Sequence, residues 1–167
     1  MSQLAIILNH QQITHKIKRL AWQIYEDNME SKQLYIAGVD NRGMYLAEQI
    51  ANELRLISDL KVELINIVID RNNFEPSFYS EFNIADIKEQ SLVVVDDVLN
   101  TGKTLISAFL PLLQRQVAKI RIAVLASRSY RAFPVKADFV GISMATTIQE
   151  HLLFDDSNPQ DLKLILN

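Results

Sequence analysis

The chain has 167 residues, of which 49% are apolar and 22% charged, and its formal net charge is −3. These values are typical of one globular domain over residues 1–167, and the lack of cysteine excludes disulfide and thiolate chemistry. No apolar run reaches the roughly 18 residues of a membrane span and no signal-peptide pattern is present, so we expect a cytoplasmic protein without a membrane partner.

The first half of the chain predicts two strand–helix pairs after an initial helix. Apolar side chains recur at helical spacing over residues 12–28, whose other face is basic. Residues 33–39 predict a strand that runs into the polar turn 40–43, and residues 44–56 predict the following helix. A turn with an arginine and free amides at a helix start is suited to an oxygen anion; the alternative is a plain surface turn.

A third strand is predicted over residues 61–69, and residues 70–83 follow it without helical or strand period. A structureless stretch of this length in a compact domain is usually functional or disordered. We predict a mobile lid that carries Arg71. Its aromatic side chains have an alternative role in a subunit contact.

The segment 92–105, LVVVDDVLNTGKTL, is the most informative part of the sequence. Its four leading apolar residues predict a parallel strand covered on both faces. Asp96 and Asp97 are poor strand formers that repel each other, so we expect the strand to end there. A turn at residues 100–102 and a helix from Lys103 would follow. The two carboxylates can accept hydrogen bonds from sugar hydroxyls, and the start of the following helix can bind a phosphate group. The segment therefore predicts a sugar-phosphate site.

Two other interpretations of this segment are weaker. A nucleotide-triphosphate P-loop requires a glycine where Asp97 stands, and it is rejected. An ordinary buried strand with solvated acids at its end would leave both the acidic pair and the threonine-rich turn as coincidence.

The remaining residues predict a helix over 104–114 that Pro111 kinks, a strand over 119–126, a basic loop over 127–136 and a strand over 137–142. Irregular strands near residues 152–154 and 162–166 would finish the sheet. Alternating strands and helices predict an α/β fold with a mainly parallel central sheet and helices on both faces. Right-handed crossovers bring the turns at 40–43 and 96–104 to one edge.

Several of these segments occur together, in order, in one protein family. They are KIKRLAWQIYE, IAGVDNRGMYLAEQIA, the pair Asp70–Arg71, VVVDDVLNTGKT and SRSYRAFPVKADFVG. The segment 92–105 resembles the signature by which type I phosphoribosyltransferases bind 5-phosphoribosyl diphosphate (PRPP). The whole set resembles the pyrimidine operon attenuator/uracil phosphoribosyltransferase family, whose members join uracil to PRPP and in some bacteria also bind messenger RNA.

This resemblance implies a type I phosphoribosyltransferase fold with a small hood, Mg²⁺ as cofactor, PRPP and a nucleobase as substrates, and a homodimer or higher homo-oligomer. It implies catalytic roles for Arg42, Arg71 and Asp97, and a magnesium ion held indirectly, through PRPP, by Asp96 and Asp97. The implied PRPP-binding residues are Asn41, Arg42, Gly43, Asp96, Asp97, Asn100, Thr101, Gly102, Lys103 and Thr104. The implied base-binding residues are Arg128, Asp138, Phe139 and Val140.

The sequence departs from the family pattern at several positions, which bear on uracil specificity and RNA binding more than on PRPP binding. Asn100 replaces an aromatic residue, Ser127 replaces an aspartate, and the stretch between Arg71 and Val93 is short. Since an amide accepts no proton at neutral pH, we assign no general base to Asn100. The net charge of −3 makes RNA the less favoured partner. The alternative function is a nucleotide-responsive RNA-binding regulator with little catalysis.

Overall fold

The computed structural model describes residues 4–167, which form a six-stranded sheet and a separate three-stranded sheet. The strands are β1 (Ala5–Leu8), β2 (Gln33–Val39), β3 (Lys61–Ile69), β4 (Pro76–Tyr79), β5 (Ser91–Leu99), β6 (Lys119–Arg128), β7 (Phe139–Met144), β8 (Leu152–Asp155) and β9 (Lys163–Leu166). The α-helices are α1 (His10–Asp27), α2 (Asp40–Ile57) and α3 (Lys103–Gln114), and a short 3₁₀ helix spans Ile84–Ile87.

The large sheet has the strand order β4-β3-β2-β5-β6-β7, and only the β3–β4 pair is antiparallel. Helices α1 and α2 cover one face, where Ile13, Leu20 and Ile50 are fully buried. Helix α3 and the aromatic side chains of the segment 70–83 cover the other face. The α/β architecture with helices on both faces of a mainly parallel sheet is therefore confirmed.

The small sheet, which we call the hood, has the order β1-β9-β8 and is entirely antiparallel. Its inner residues Leu8, Phe154 and Leu164 belong to the same apolar cluster as α1 and α2. The prediction that the last strands finish the main sheet is wrong, because they pair with β1 instead. Strand β1 itself was not predicted.

The acidic pair does not end its strand, contrary to the sequence prediction. Strand β5 continues to Leu99, because Val98 and Leu99 still pair with Ala126 and Ser127 of β6. What changes at the pair is the alternation of side chains. Val95 faces the α1–α2 side of the sheet and so does Val98, three residues later, so the alternation slips by one residue at the two aspartates.

Two further boundaries differ from the prediction. Helix α2 begins at Asp40, directly after β2, so residues 41–43 form its first turn rather than a loop. The segment 70–83 is not structureless, since Pro76–Tyr79 pairs antiparallel with the end of β3. Its outward and inward side chains alternate, and proline is tolerated at the first residue of an edge strand. Helix α3 is continuous through Pro111.

Within residues 4–167, no helix combines the length and apolar character that crossing a membrane requires.

Candidate active site

The carboxyl ends of β2 and β5 are neighbours in the parallel sheet, and the residues that follow them line one cleft of about 520 Å³. Its lining residues are Val39, Asp40, Asn41, Arg42, Arg71, Asp96, Asp97 and Asp156. A smaller pocket of about 50 Å³ adjoins it at the turn 100–102 and the start of α3. Asp96 lines both, so the two form a continuous site at the edge where the sequence analysis placed it.

Asp96 and Asp97 are both half-buried. The Asp96 carboxylate accepts a hydrogen bond from the Asp97 amide at 2.9 Å. Burial, then the charge of Asp97, raise the pKa of Asp96 well above its usual value, and the more distant Asp40 adds to the effect. Burial and like charge thus disfavour the ionised form of Asp96, and a ligand that donates hydrogen bonds, such as a ribose diol, would favour it.

The small pocket is formed by the turn between β5 and α3. Gly102 has φ +87° and precedes the first helical residue, Lys103. The Thr101 carbonyl accepts hydrogen bonds from the amides of Ala132 and Phe133 at 3.1 and 3.0 Å, which anchors the turn to the loop after β6. The first amides of a helix have no intrahelical acceptor, so this pocket suits a phosphate group.

The opposite wall of the cleft is the first turn of α2. A Cβ added to Gly43 would lie 2.7 Å from the carbonyl oxygen of Val95, so only glycine lets the helix approach the acidic strand this closely. Asn41 and Arg42 are exposed toward the cleft. The Arg42 guanidinium lies 3.7 Å from the Asp156 carboxylate of the hood.

Arg71 reaches the cleft from the segment after β3. Its guanidinium pairs with the Asp40 carboxylate and donates to the Thr104 hydroxyl at 3.1 Å. The Lys103 ammonium lies 3.9 Å from the centre of the Phe74 ring, a second contact between this segment and the start of α3.

Arg128 is buried, and its side chain holds the loop after β7. It donates to the Thr146 hydroxyl at 2.6 Å, to the Thr147 carbonyl at 2.7 Å and, at 3.5 Å, to the side-chain oxygen of Asn100. Arg128 thus joins residues 146–147 to Asn100 in the turn before α3. Nearby, Ser127 accepts a hydrogen bond from Arg131 at 2.6 Å.

The other predicted base-binding residues lie at different levels of the sheet. Val140 pairs with Val124, which is itself level with Asp96, whereas Phe139 lies one residue further from the edge. Asp138 precedes β7, and its carboxylate accepts the Ile122 amide at 2.8 Å. This hydrogen bond ties the residue before β7 to strand β6.

Asp40 and Asp156 line the cleft and were not assigned as site residues from the sequence. Asp40 belonged to the polar turn 40–43, but nothing in the sequence indicated its pairing with Arg71. Asp156 follows a short apolar strand as the second of two aspartates, the same pattern that marks Asp96 and Asp97. That pattern could have identified it.

The donor set of the cleft fits a magnesium ion that is shared with a substrate. Four carboxylates line the cleft, and Mg²⁺ prefers oxygen ligands. Among residues 4–167, however, no three His, Cys, Asp or Glu side chains come together closely enough to bind a metal by themselves. An ion held partly by substrate oxygens, beside Asp96 and Asp97, is compatible with this geometry.

The mainly parallel sheet with its hood, the acidic pair near the end of β5 and the turn before α3 together define the type I phosphoribosyltransferase fold. Solved structures share it. A hypoxanthine phosphoribosyltransferase of Trypanosoma cruzi has a TM-score of 0.79 at 17% identity, with 95% of this chain and 94% of that chain covered. A hypoxanthine-guanine phosphoribosyltransferase of Bacillus anthracis has a TM-score of 0.68 at 18% identity, with 83% and 81% covered.

The family model described as a phosphoribosyl transferase domain matches residues 3–155. The chain is 31% identical to the "Bifunctional protein PyrR" of Bacillus pumilus, with 92% of this chain and 91% of the relative covered. It is 31% identical to the protein of the same name from Listeria monocytogenes, with 99% and 98% covered. The chain therefore belongs to the phosphoribosyltransferase domain family, among the relatives named bifunctional PyrR.

Proposed function

We propose that this protein transfers the phosphoribosyl group of PRPP to a ring nitrogen of a nucleobase, with uracil as the first candidate, and releases diphosphate. The observation that carries the proposal is the pair of adjoining pockets that share Asp96. One is large and lined by carboxylates and arginines, and the other is small and formed by a helix start. A sugar with a diphosphate at one end and a phosphate at the other fits this division.

PRPP can be assigned to the two pockets group by group. Asp96 and Asp97 accept hydrogen bonds from the ribose hydroxyls. Asn100, Thr101, Gly102, Lys103 and Thr104 surround the 5-phosphate, and Asn41, Arg42 and Gly43 border the diphosphate. The two ends of the substrate would then lie against different helices, because α2 and α3 pack on opposite faces of the sheet.

The reaction is a substitution at the anomeric carbon. The base nitrogen forms a bond to this carbon, the bond to the diphosphate oxygen breaks, and diphosphate leaves with the electron pair. Arg42 and Arg71 stabilise the growing charge of the leaving group, and Asp97 stabilises positive charge on the ribose ring. Asn100 cannot act as a base, so the proton of the base nitrogen passes to solvent or to diphosphate.

Magnesium, when bound beside Asp96 and Asp97 through PRPP, neutralises part of the diphosphate charge. The chain's contribution is electrostatic as well. Four carboxylates and two guanidiniums line the large cleft, so the cleft is acidic before substrate arrives. We expect PRPP, a polyanion, to bind only together with a divalent cation.

The acceptor base is proposed to lie between the acidic strand and the loop that Arg128 holds. Val140 is level with Asp96, and Arg128 fixes residues 146–147 above the same edge. Arg128 would therefore act on the base through this loop. We propose that Phe139 and Asp138 also border the base site, further from the carboxyl edge of the sheet than Val140.

The test is a panel of bases with PRPP and Mg²⁺, followed by release of diphosphate. Uracil is expected to react with the highest kcat/KM, and hypoxanthine and guanine are expected to react poorly or not at all. The variant Asp96→Asn with Asp97→Asn controls for contaminating activity. Reaction with a purine alone would replace uracil as the substrate, and no reaction with any base would overturn the proposal.

A second candidate function is nucleotide-responsive binding of RNA, supported by the word "bifunctional" in the names of the relatives. His15, Lys18 and Arg19 are exposed on α1. Arg19 also donates to the carbonyls of Val140 and Gly141 at 3.1 and 2.7 Å, so part of this basic face is already bonded. A homodimer could place two copies of α1 side by side and enlarge the surface.

We expect RNA binding to be weak or absent. A structured pyrimidine-operon leader RNA would be titrated at about 50 and 200 mM salt, with and without a uridine nucleotide. Submicromolar, nucleotide-dependent binding that Lys18→Ala with Arg19→Ala weakens would show a regulator. The elution volume of the protein in gel filtration would show whether it is a homodimer or a larger homo-oligomer.

A further inference from the structure

Both arginines of the large cleft have an aspartate partner. Arg42 lies beside Asp156, and Arg71 pairs with Asp40. The second pair has an additional contact, because Arg71 also donates to the Thr104 hydroxyl at 3.1 Å. The Arg71 side chain therefore spans the cleft from the first residue of α2 to the start of α3.

Asp40 has a backbone and a hydrogen-bond pattern suited to holding Arg71. Its φ is +52°, a left-handed conformation that aspartate adopts more readily than most residues. One carboxylate oxygen accepts the Ile69 amide at 2.9 Å, and the other pairs with Arg71. Since Ile69 is the last residue of β3, the same side chain fixes both the root of the segment and its guanidinium.

We propose that Asp40 is a positioning residue that holds Arg71 across the cleft in the absence of PRPP and yields it to the diphosphate. This inference rests on the proposed function. Carboxylate and phosphoryl oxygens are equivalent acceptors for a guanidinium, so diphosphate can replace the carboxylate without loss of hydrogen bonds. Asp40 and the diphosphate then compete for Arg71.

The exchange is expected to be easy. The Arg71 side chain is 60% exposed and the Asp40 side chain 28%, so solvent screens their pairing. Exposed ion pairs are weak, and releasing this one should change the affinity for PRPP by about two- to fivefold. Removing the Asp40 charge should therefore tighten PRPP binding, an effect opposite to that of losing a substrate contact.

The experiment compares the wild type, Asp40→Asn, Arg71→Ala and the double variant by calorimetric titration with PRPP and Mg²⁺. Asparagine can still accept the Ile69 amide, so the variant keeps the root of the segment in place. Asp59→Asn is the matched control, because Asp59 is exposed and lies before β3, at the opposite end of that strand from the cleft. We expect the Kd for PRPP to fall about two- to fivefold in Asp40→Asn and to stay unchanged in Asp59→Asn.

A double-mutant cycle separates the proposed exchange from a simple charge effect. The gain in affinity should shrink when Arg71 is already alanine. An equal gain in both backgrounds would show only reduced repulsion and would overturn the proposal. So would a weaker Kd or a large loss of kcat in Asp40→Asn, because either result would mean that Asp40 serves the bound state.

Amide hydrogen exchange in the absence of substrate gives a readout that does not depend on turnover. Asp40→Asn should increase exchange in residues 70–75, and Asp59→Asn should not. Unchanged exchange in Asp40→Asn would overturn the holding role of Asp40. Another outcome is increased amide hydrogen exchange in Asp40→Asn while neither the wild type nor any variant binds PRPP. That result would overturn the proposed function and the transfer of Arg71 from Asp40 to diphosphate, but it would support the contact in which Asp40 holds Arg71.

Discussion

The two strand–helix connections at the carboxyl edge of the large sheet are built differently. Between β2 and α2 there is no intervening residue, since Val39 ends the strand and Asp40 begins the helix. Between β5 and α3, residues 100–102 form a turn that the loop after β6 holds by two hydrogen bonds. At the first connection, charged side chains point toward the cleft and form ion pairs that a ligand can replace. At the second, backbone and hydroxyl groups line a small pocket whose turn is held in place by hydrogen bonds.

We expect the two ends of the proposed substrate to bind at these two connections in different ways. The end that stays unchanged during the reaction, the 5-phosphate, would meet the fixed turn. The end that leaves, the diphosphate, would meet arginines that already have carboxylates to return to. The acidic pair lies near the end of β5, and its first member, Asp96, lines both pockets.

The largest expected effect comes from removing both charges of the acidic pair, Asp96 and Asp97. Converting Asp96 and Asp97 together to asparagine should lower kcat/KM for PRPP by about 10²–10⁴-fold, because each lost charge-assisted hydrogen bond is worth about 1.5–3 kcal/mol. Steady-state kinetics measures this, with circular dichroism to show that the fold is retained. An unchanged kcat/KM would remove the acidic pair from the ribose site.

The next largest effect is expected from Arg71, and it tests whether this guanidinium acts on the leaving diphosphate. Arg71→Ala should lower kcat about 10- to 100-fold and raise the KM for PRPP less, because the guanidinium meets diphosphate mainly as its charge grows. Arg55→Ala, on the outer part of α2, is a control that removes an arginine without touching the cleft. A raised KM at constant kcat would instead show uniform binding of the ground state.

A third prediction concerns Gly43, which lies in the first turn of α2, directly after β2. Gly43→Ala would place a methyl group 2.7 Å from the Val95 carbonyl oxygen, so the helix must move away from β5. Unfolding by denaturant should show a loss of about 1–3 kcal/mol of stability. Glu48→Ala, at an exposed position of the same helix, should change stability little. Equal stabilities would mean that the helix start can shift freely.

The smallest effect is a gain in stability. The pKa of Asp96 is raised, so the folded protein holds this proton more tightly than the unfolded chain, and stability falls as pH rises from about 3.8 through the folded pKa. Asp96→Asn removes this penalty. At pH 7 the melting temperature of Asp96→Asn should therefore be higher than that of the wild type.

The pH dependence provides the check on that gain. Near pH 3 the wild type and Asp96→Asn should melt at similar temperatures, because Asp96 is then protonated in both folded and unfolded states. A gain that persists unchanged at pH 3 would point to packing rather than charge. Asp59→Asn should show no such difference between the two pH values.

The sequence predicted the central sheet well because buried parallel strands consist of unbroken apolar runs. It misplaced the end of β5 because β6 continues to pair beyond the acidic pair, and this pairing outweighs the low strand propensity of aspartate. The strand Pro76–Tyr79 was missed for a related reason. Only four residues alternate, and their partner, the end of β3, lies outside the segment.

The site was predictable where its residues are contiguous and not where they come from distant segments. The segment 96–104 is one continuous motif, so its position at the edge followed from the strand that precedes it. The pairing of Asp40 with Arg71 depends on β2 and β3 being neighbours. The approach of Asp156 to Arg42 depends on the hood, whose arrangement no local pattern records.

The hood has a consequence for the order of folding. Within residues 4–167, strand β1 pairs with β9 alone, so its hydrogen bonds form only once Ala5 meets Leu166. Closing so long a loop carries a large entropic cost, and contacts of this separation form late. During synthesis the central sheet can assemble first, while β1 remains an unpaired strand exposed to other chains. We therefore expect the Asp156 side of the cleft to be completed last.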